Sequence, residues 1–314
     1  MVGLRLGTAI VAALALFGCD GGDSDVPQRD RPLIEKIPAG GPPGHPLCTE
    51  LRARVTGRVA AAAATELSGL AVSRSQPGVL WTHNDSGDRA RVLALAPDGR
   101  LLADVAVTGA ENVDWEDLSV GPGGVGDALF LGDIGDNLAV RPAIVVYRMA
   151  EPRLRGGAPS ATAPAQRFVL RYPDGPHDAE ALLVDPSSGA LVIATKGLGE
   201  PVRLYVADDP SATAITTMRP VGKAPLDGSP LVTAGDISAD GRTIALRAYG
   251  RVFVWSRRRG ESLAAAMRRT PCTAPADLLV EGQGEALGLS PDGRAFYTVP
   301  EGEQPPLRRY FPGG

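Results

Sequence analysis

From residue 51 onward, short stretches of alternating apolar and polar residues are separated by turns rich in Gly, Pro, Asp and Asn. A period of two puts successive side chains on opposite faces of a strand, so each stretch predicts a half-buried β-strand. The stretches also resemble one another. "SGLAVS" at 68, "EDLSVG" at 116, "EALLVD" at 180, "GDISAD" at 235 and "EALGLS" at 285 open five copies of one pattern. In each copy a turn, often "PDG" or "ADG", leads to a second strand, for example "VLWTHNDSGD" from 79 or "ALFLGDIGDN" from 128. A third follows, such as "RVLAL" at 91 or "RVFVW" at 251. Fourth strands are predicted at "LLADVAV" (101) and "QRFVLRY" (166), and near "ITTM" (215) and "DLLV" (277).

Four antiparallel strands recurring every 48 to 64 residues predict an all-β fold, a β-propeller of five blades, or six if the long 120–180 interval holds a degenerate one. The last copy stops after three strands. "LRARVTGRV", 51–59, precedes the first copy without a blade of its own, and is expected to close the last blade, leaving no exposed edge. A β-sandwich, the competing all-β architecture, does not call for internal repetition.

Composition adds the setting. With 44% hydrophobic residues the chain can build a large core, and Gly 39 with Pro 28 argues against a mostly helical protein. Net charge is −4 with the signs interleaved, so no nucleic-acid partner is expected. Residues 1–18 read as an export signal: Arg5, then an apolar run too short to span a bilayer. Its end, "LFGC", resembles a bacterial lipobox, which implies cleavage before Cys19, lipidation of that thiol and attachment to a membrane outside the cytoplasm, the periplasmic side in a Gram-negative cell. Residues 19–47, aperiodic and rich in Gly, Pro and Asp, read as a tether, and 48–314 as the folded domain. "ESLAAAMRR" (261–269) predicts a short helix between the third and fourth strands of the fourth copy. That places Cys272 and Cys48 at the same end of the propeller, so a disulfide between them would pin the closing strand.

The candidate chemistry is acidic. Glu116, Glu180 and Glu285 share one repeat column at the start of the inner strands, with Ser68 in the first copy and Gly235, beside Asp236, in the fourth. Glu66 lies two residues ahead of Ser68 and faces the same way. Carboxylates converging on a channel mouth either hold a cation, for which Ca²⁺ is the best match, or cap neighbouring amides and face water. Loops after the second strands add His83, Asn84, Asp85, Asp88, Asp133, Asp136, Asn137, Arg141, Lys196, Arg247, Tyr249 and Glu301, and His177 lies near Glu180. With His83, Lys196 and Arg247 facing the glutamates, both signs of charge would meet in one concave site. Zinc, phosphate-loop and G-x-S-x-G signatures are absent.

"ELSGLAVS", "WTHNDSGD", "DWEDLSVGP", "LGDIGDN", "HDAEALLVD", "LVIATKG" and "QGEALGLSPDG" resemble exported bacterial β-propeller proteins of WD40-like type. They resemble more distantly the phytase-like and lactonase-like calcium propellers. The Trp-Asp blade ending of true WD40 repeats is missing. The distant likeness implies Glu116, Asp133, Glu180 and Glu285 as ligands of Ca²⁺, His83 as base, and Lys196 or Arg247 as anion holder. The expected function is a membrane-anchored, monomeric propeller that binds a small molecule or envelope protein at its charged top face. The alternative is a Ca²⁺-assisted hydrolase of a lactone or phosphoester.

Overall fold

The computed structural model describes residues 45–61, 64–154, 160–228 and 230–313. The export signal, Cys19 and nearly all of the tether lie outside the described residues. Strands and turns follow the repeat. The first unit is β2 (Leu67–Val72), β3 (Leu80–Asn84), β4 (Arg91–Leu95) and β5 (Leu101–Thr108). The second is β6 (Trp115–Pro122), β7 (Asp127–Asp133), β8 (Ile144–Ala150) and β9 (Ser160–Arg171). The third is β10 (Ala179–Val184), β11 (Leu191–Thr195), β12 (Arg203–Ala207) and β14 (Arg219–Lys223), with the two-residue β13 (Thr216–Thr217) between its last strands. The fourth is β15 (Val232–Ile237), β16 (Thr243–Ala248), β17 (Arg251–Ser256) and β18 (Cys272–Ala274). β19 (Ala286–Leu289), β20 (Phe296–Val299) and β21 (Pro306–Pro312) are joined by β1 (Leu51–Arg58), which pairs antiparallel with β21 as the closing strand.

Each unit is an antiparallel meander, and a parallel pairing of β5 with β9 joins the first two into a continuous sheet. The inner strands touch in turn, β2 to β6, β6 to β10, β10 to β15 and β15 to β19, and β19 returns to β2. Between each consecutive pair of units lies an apolar cluster, including one of Leu67, Leu70, Leu93, Val299 and Leu307 where the last unit meets the first. This closed cycle is a propeller-like arrangement.

Two predicted fourth strands lie elsewhere. In "ITTM", Thr216–Thr217 pairs in parallel with β9, while the outer strand of that unit is Arg219–Lys223, too exposed and too rich in Pro and Gly to show alternation. "DLLV" leads into a short 3-10 turn, Leu279–Glu281, and the outer strand is the three-residue Cys272–Ala274. The expected helix is α1 (Leu263–Met267), capped by the Ser262 hydroxyl, which accepts the Ala265 N–H. A disulfide joins Cys48 to Cys272, with Cα atoms 6.0 Å apart, and so ties the segment before β1 to the fourth unit. Ordered packing starts before that cysteine: Leu47 is buried, and His45, read as tether, bonds to the Thr243 hydroxyl at 3.0 Å.

Candidate functional site

The strand pairing decides which residues are equivalent. Where four of the five inner strands begin, the pairing with the second strand shifts register: between Leu67 and Leu70, Trp115 and Asp117, Ala179 and Ala181, and Val232 and Ala234. A bulge re-aims the side chain it contains. The equivalent positions are therefore Ser68, Glu116, Glu180 and Thr233, followed by Glu285 just ahead of β19. The fourth member is Thr233, not Gly235. The Ser68 and Thr233 hydroxyls donate to the carbonyls of Glu116 and Gly284 on the next unit. Gly235 is packed against Leu183 and Leu246, with no room for a Cβ, and Asp236 is buried, accepting the N–H of Leu289 at 2.7 Å rather than facing the site.

The same pairing separates the second-strand residues by depth. Asp85, Lys196, Tyr249 and Glu301 occupy one level. His83 and Arg247 lie two residues, ~6.8 Å along a strand, below it. His83 is fully buried, its Nδ1 bonded to the Asn84 carbonyl at 2.9 Å and its ring edge-on to Trp115. Burial lowers its pKa to about 4. Arg247 is equally buried, donating to Glu281 at 2.6 Å and to the Ala286 carbonyl at 2.7 Å. Both are enclosed by protein on every side. Glu281, which also accepts from Thr298 at 2.6 Å, was not singled out in the sequence because an isolated Glu in a loop carries no periodic signal.

Carboxylates of Glu66, Asp85, Asp114, Glu116, Asp178, Glu180, Glu285 and Glu301 interact electrostatically around this space. Lys196 stands among them: its ammonium donates to Glu180 Oε1 and lies 3.9 Å from Asp178. Although burial opposes its charge, these acids hold the ammonium firmly protonated. Glu116 is buried and makes no side-chain hydrogen bond to the described residues; Glu180 Oε2 is buried without a partner. Burial raises Glu116 well above the usual carboxylate range, and the charges of Glu180, Asp85 and Asp114 add to this. Burial likewise lifts Glu180 to about 8, against the pull of Lys196, and Asp85 to about 7. Glu301 rises to about 8 through burial and its neighbour Glu285.

Two triads have carboxylate oxygens within 4.8 Å of one another: Asp85, Asp114 and Glu116, and Glu116, Asp178 and Glu180. Either set is oxygen-rich enough to contribute to holding a hard cation. Of the four expected ligands, Glu116 and Glu180 come together. Asp133 is held by Arg141 at 2.7 Å, and Glu285 accepts from the Tyr249 hydroxyl at 3.0 Å. Arg141 also donates to the Gly135 carbonyl at 2.6 Å. Gly135 lies so close to the site that a Cβ there would sit 2.2 Å from Glu116 Oε1. His177 turns away, bonding with Asp174 and Tyr205.

No family model matches the chain, and no curated protein does either. Among solved structures, the chain is similar to a PQQ-bound aldose sugar dehydrogenase from Streptomyces coelicolor, at 13% identity and a TM-score of 0.48, covering 84% of this chain and 98% of that one. Hydrazine synthase from Kuenenia stuttgartiensis is similar at 11% identity and a TM-score of 0.43, covering 75% and 80%. The propeller-like arrangement is carried by the strand connectivity and the five inter-unit clusters, not by these likenesses.

Proposed function

We propose that this is a five-bladed propeller, exported and anchored outside the cytoplasm through a lipidated Cys19, which binds a positively charged ligand or partner at its acidic top face. The observation that carries this reading is the gathering of eight interacting carboxylates, of which Glu180, Asp178, Glu116 and Asp114 feel the Lys196 ammonium, with Glu116 and Glu180 Oε2 left without hydrogen-bond partners among the described residues. Buried acids of this kind gain from any cation that replaces their lost hydration. The disulfide suits an oxidising compartment. His83 and Arg247 are buried and bonded inward, whereas Lys196 stays among the carboxylates, an arrangement that supports binding of a cation.

A Ca²⁺-assisted hydrolase is the second reading, supported by the two carboxylate triads. Scanning calorimetry of the mature chain in detergent separates these readings, with melting measured before and after EDTA and then with CaCl₂ or spermidine. A rise in melting temperature with either cation, lost in Glu116→Gln, supports the binding reading. No response to any cation sinks it. Turnover of a lactone or phosphoester that needs Ca²⁺ would move the assignment to the hydrolase.

A further inference from the structure

The two triads differ in one respect. Asp114 and Glu116 on the second unit correspond to Asp178 and Glu180 on the third, two residues apart in each case. On the third unit Lys196, the residue after β11, supplies an ammonium to its pair. At the corresponding position after β7 the second unit has Ile134, which is buried. The Asp85, Asp114 and Glu116 triad therefore has no ammonium bonded to it: Arg141 and Lys196 act on Asp114 only through space, and Glu116, 3% exposed, has no hydrogen-bond partner among the described residues.

Exposed aliphatic side chains stand in loops at the same end of the fold as these acids. Among the described residues, six of the nine exposed large aliphatic side chains are Val113, Leu138, Val140, Leu198, Leu279 and Val280, each 55 to 78% exposed. Val113 precedes Asp114, and Leu198 follows Lys196 by two residues. Leu138 and Val140 belong to the loop in which Gly135 meets Glu116 and the Asp136 N–H donates to Asp178. Leu279 lies against Gly250, next to Tyr249, which bonds to Glu285. Exposed aliphatics gathered at one end of a fold mark surfaces that are covered by a partner. A metal ion would make no use of them, whereas a lysine has both the charge and an apolar stem.

Resting on the cation-binding reading above, we infer that the partner is a protein or peptide segment that inserts a lysine into the Asp85, Asp114 and Glu116 triad and lays flanking aliphatic side chains on this rim. Lys196 beside Glu180 is the protein's own copy of that contact.

The test is fluorescence anisotropy of the full mature chain in detergent with a labelled nonapeptide, a central lysine flanked by leucine and valine. Three comparisons accompany it: the same peptide with acetyl-lysine, the same charge flanked by serine, and the protein variants Leu138→Ser and Leu198→Ser. Acetylation should weaken binding about tenfold or more, because it removes the charge that offsets the buried acids. Serine flanks or the rim variants should weaken it by about three- to tenfold. The rim residues are exposed, so these variants keep the fold. Binding indifferent to acetylation, or to both sets of rim changes, overturns the inference. If Ca²⁺ or spermidine raises the melting temperature while the peptide does not bind, the cation reading stands and this one falls; if none of the three binds, both fall.

Discussion

Asp117 on β6 accepts the backbone N–H of Gly235 on β15 at 3.0 Å, across 118 residues of sequence. The same Oδ2 takes the Leu182 N–H of β10 at 2.9 Å, and Oδ1 takes the Leu118 N–H at 2.8 Å. One fully buried carboxylate thus ties three inner strands together beneath the acidic face. Burial raises its pKa well above the ordinary range, and the three amide bonds work against that rise.

Removing this tie should be costly. In Asp117→Ala the amides of Leu182 and Gly235 lose their acceptor in a buried setting, at about 1–3 kcal/mol each. The expected loss is about 2–6 kcal/mol by urea denaturation, with Asp117→Asn losing less because its amide oxygen still accepts. An Asp117→Ala midpoint equal to wild type would show that water replaces the carboxylate.

Arg247 and Glu281 form a fully buried pair that also holds Thr298. Glu281→Gln leaves the guanidinium uncompensated and should destabilise the fold by about 3–5 kcal/mol, whereas replacing both partners by methionine should cost less than either single change. A double-mutant cycle in denaturant measures this. If Arg247 served as an anion holder instead, Arg247→Met would lose binding of an anionic ligand while keeping its stability.

The bond between Cys48 and Cys272 encloses most of the domain and fastens the closing strand. Its removal by Cys48→Ser with Cys272→Ser should lower unfolding free energy by about 2–5 kcal/mol. Calorimetry with and without reductant checks this; an unchanged melting temperature would mean that the β1–β21 ladder and the Leu47 contacts hold closure unaided.

The acids predict a direction with pH. Glu180 and Glu301 titrate at about 8 and Asp85 at about 7 in the folded chain, well above their unfolded values. The folded state therefore binds more protons than the unfolded one above about pH 4. Stability from these groups is present at low pH and is lost as pH rises to about 8. His83 opposes this only below its unfolded pKa of about 6.5, since its folded value is about 4. Between pH 6.5 and 8 the melting temperature should fall, and cation affinity should rise as the carboxylates lose their protons. A melting temperature rising through that window would contradict the shared burial of these acids.

Much of the architecture was legible along the chain. Strand alternation, five copies and an orphan strand ahead of them were enough to anticipate the meanders and the pairing of β1 with β21, because these depend on local pattern and on the avoidance of an open edge. The pairing of Cys48 with Cys272 followed once both were placed at the same end. Glu116, Glu180 and Glu285 were correctly aligned with one another.

What alignment could not supply was depth. Periodicity of two assigns a face but not a level, and levels depend on hydrogen-bond register with the neighbouring strand. A bulge at the start of β15 makes Thr233 the fourth member of the glutamate column, and two residues of strand separate fully buried His83 and Arg247 from half-buried Asp85 and Tyr249. Asp117 shows the same limit, its neighbour Glu116 facing the site while Asp117 crosses to strands encoded 65 and 118 residues later. The sequence by itself determined the strands, their repetition and the abundance of acids. Only the tertiary structure decided which acids meet, which are bonded inward and which carry no hydrogen bond, because burial and proximity arise between units that share no local sequence.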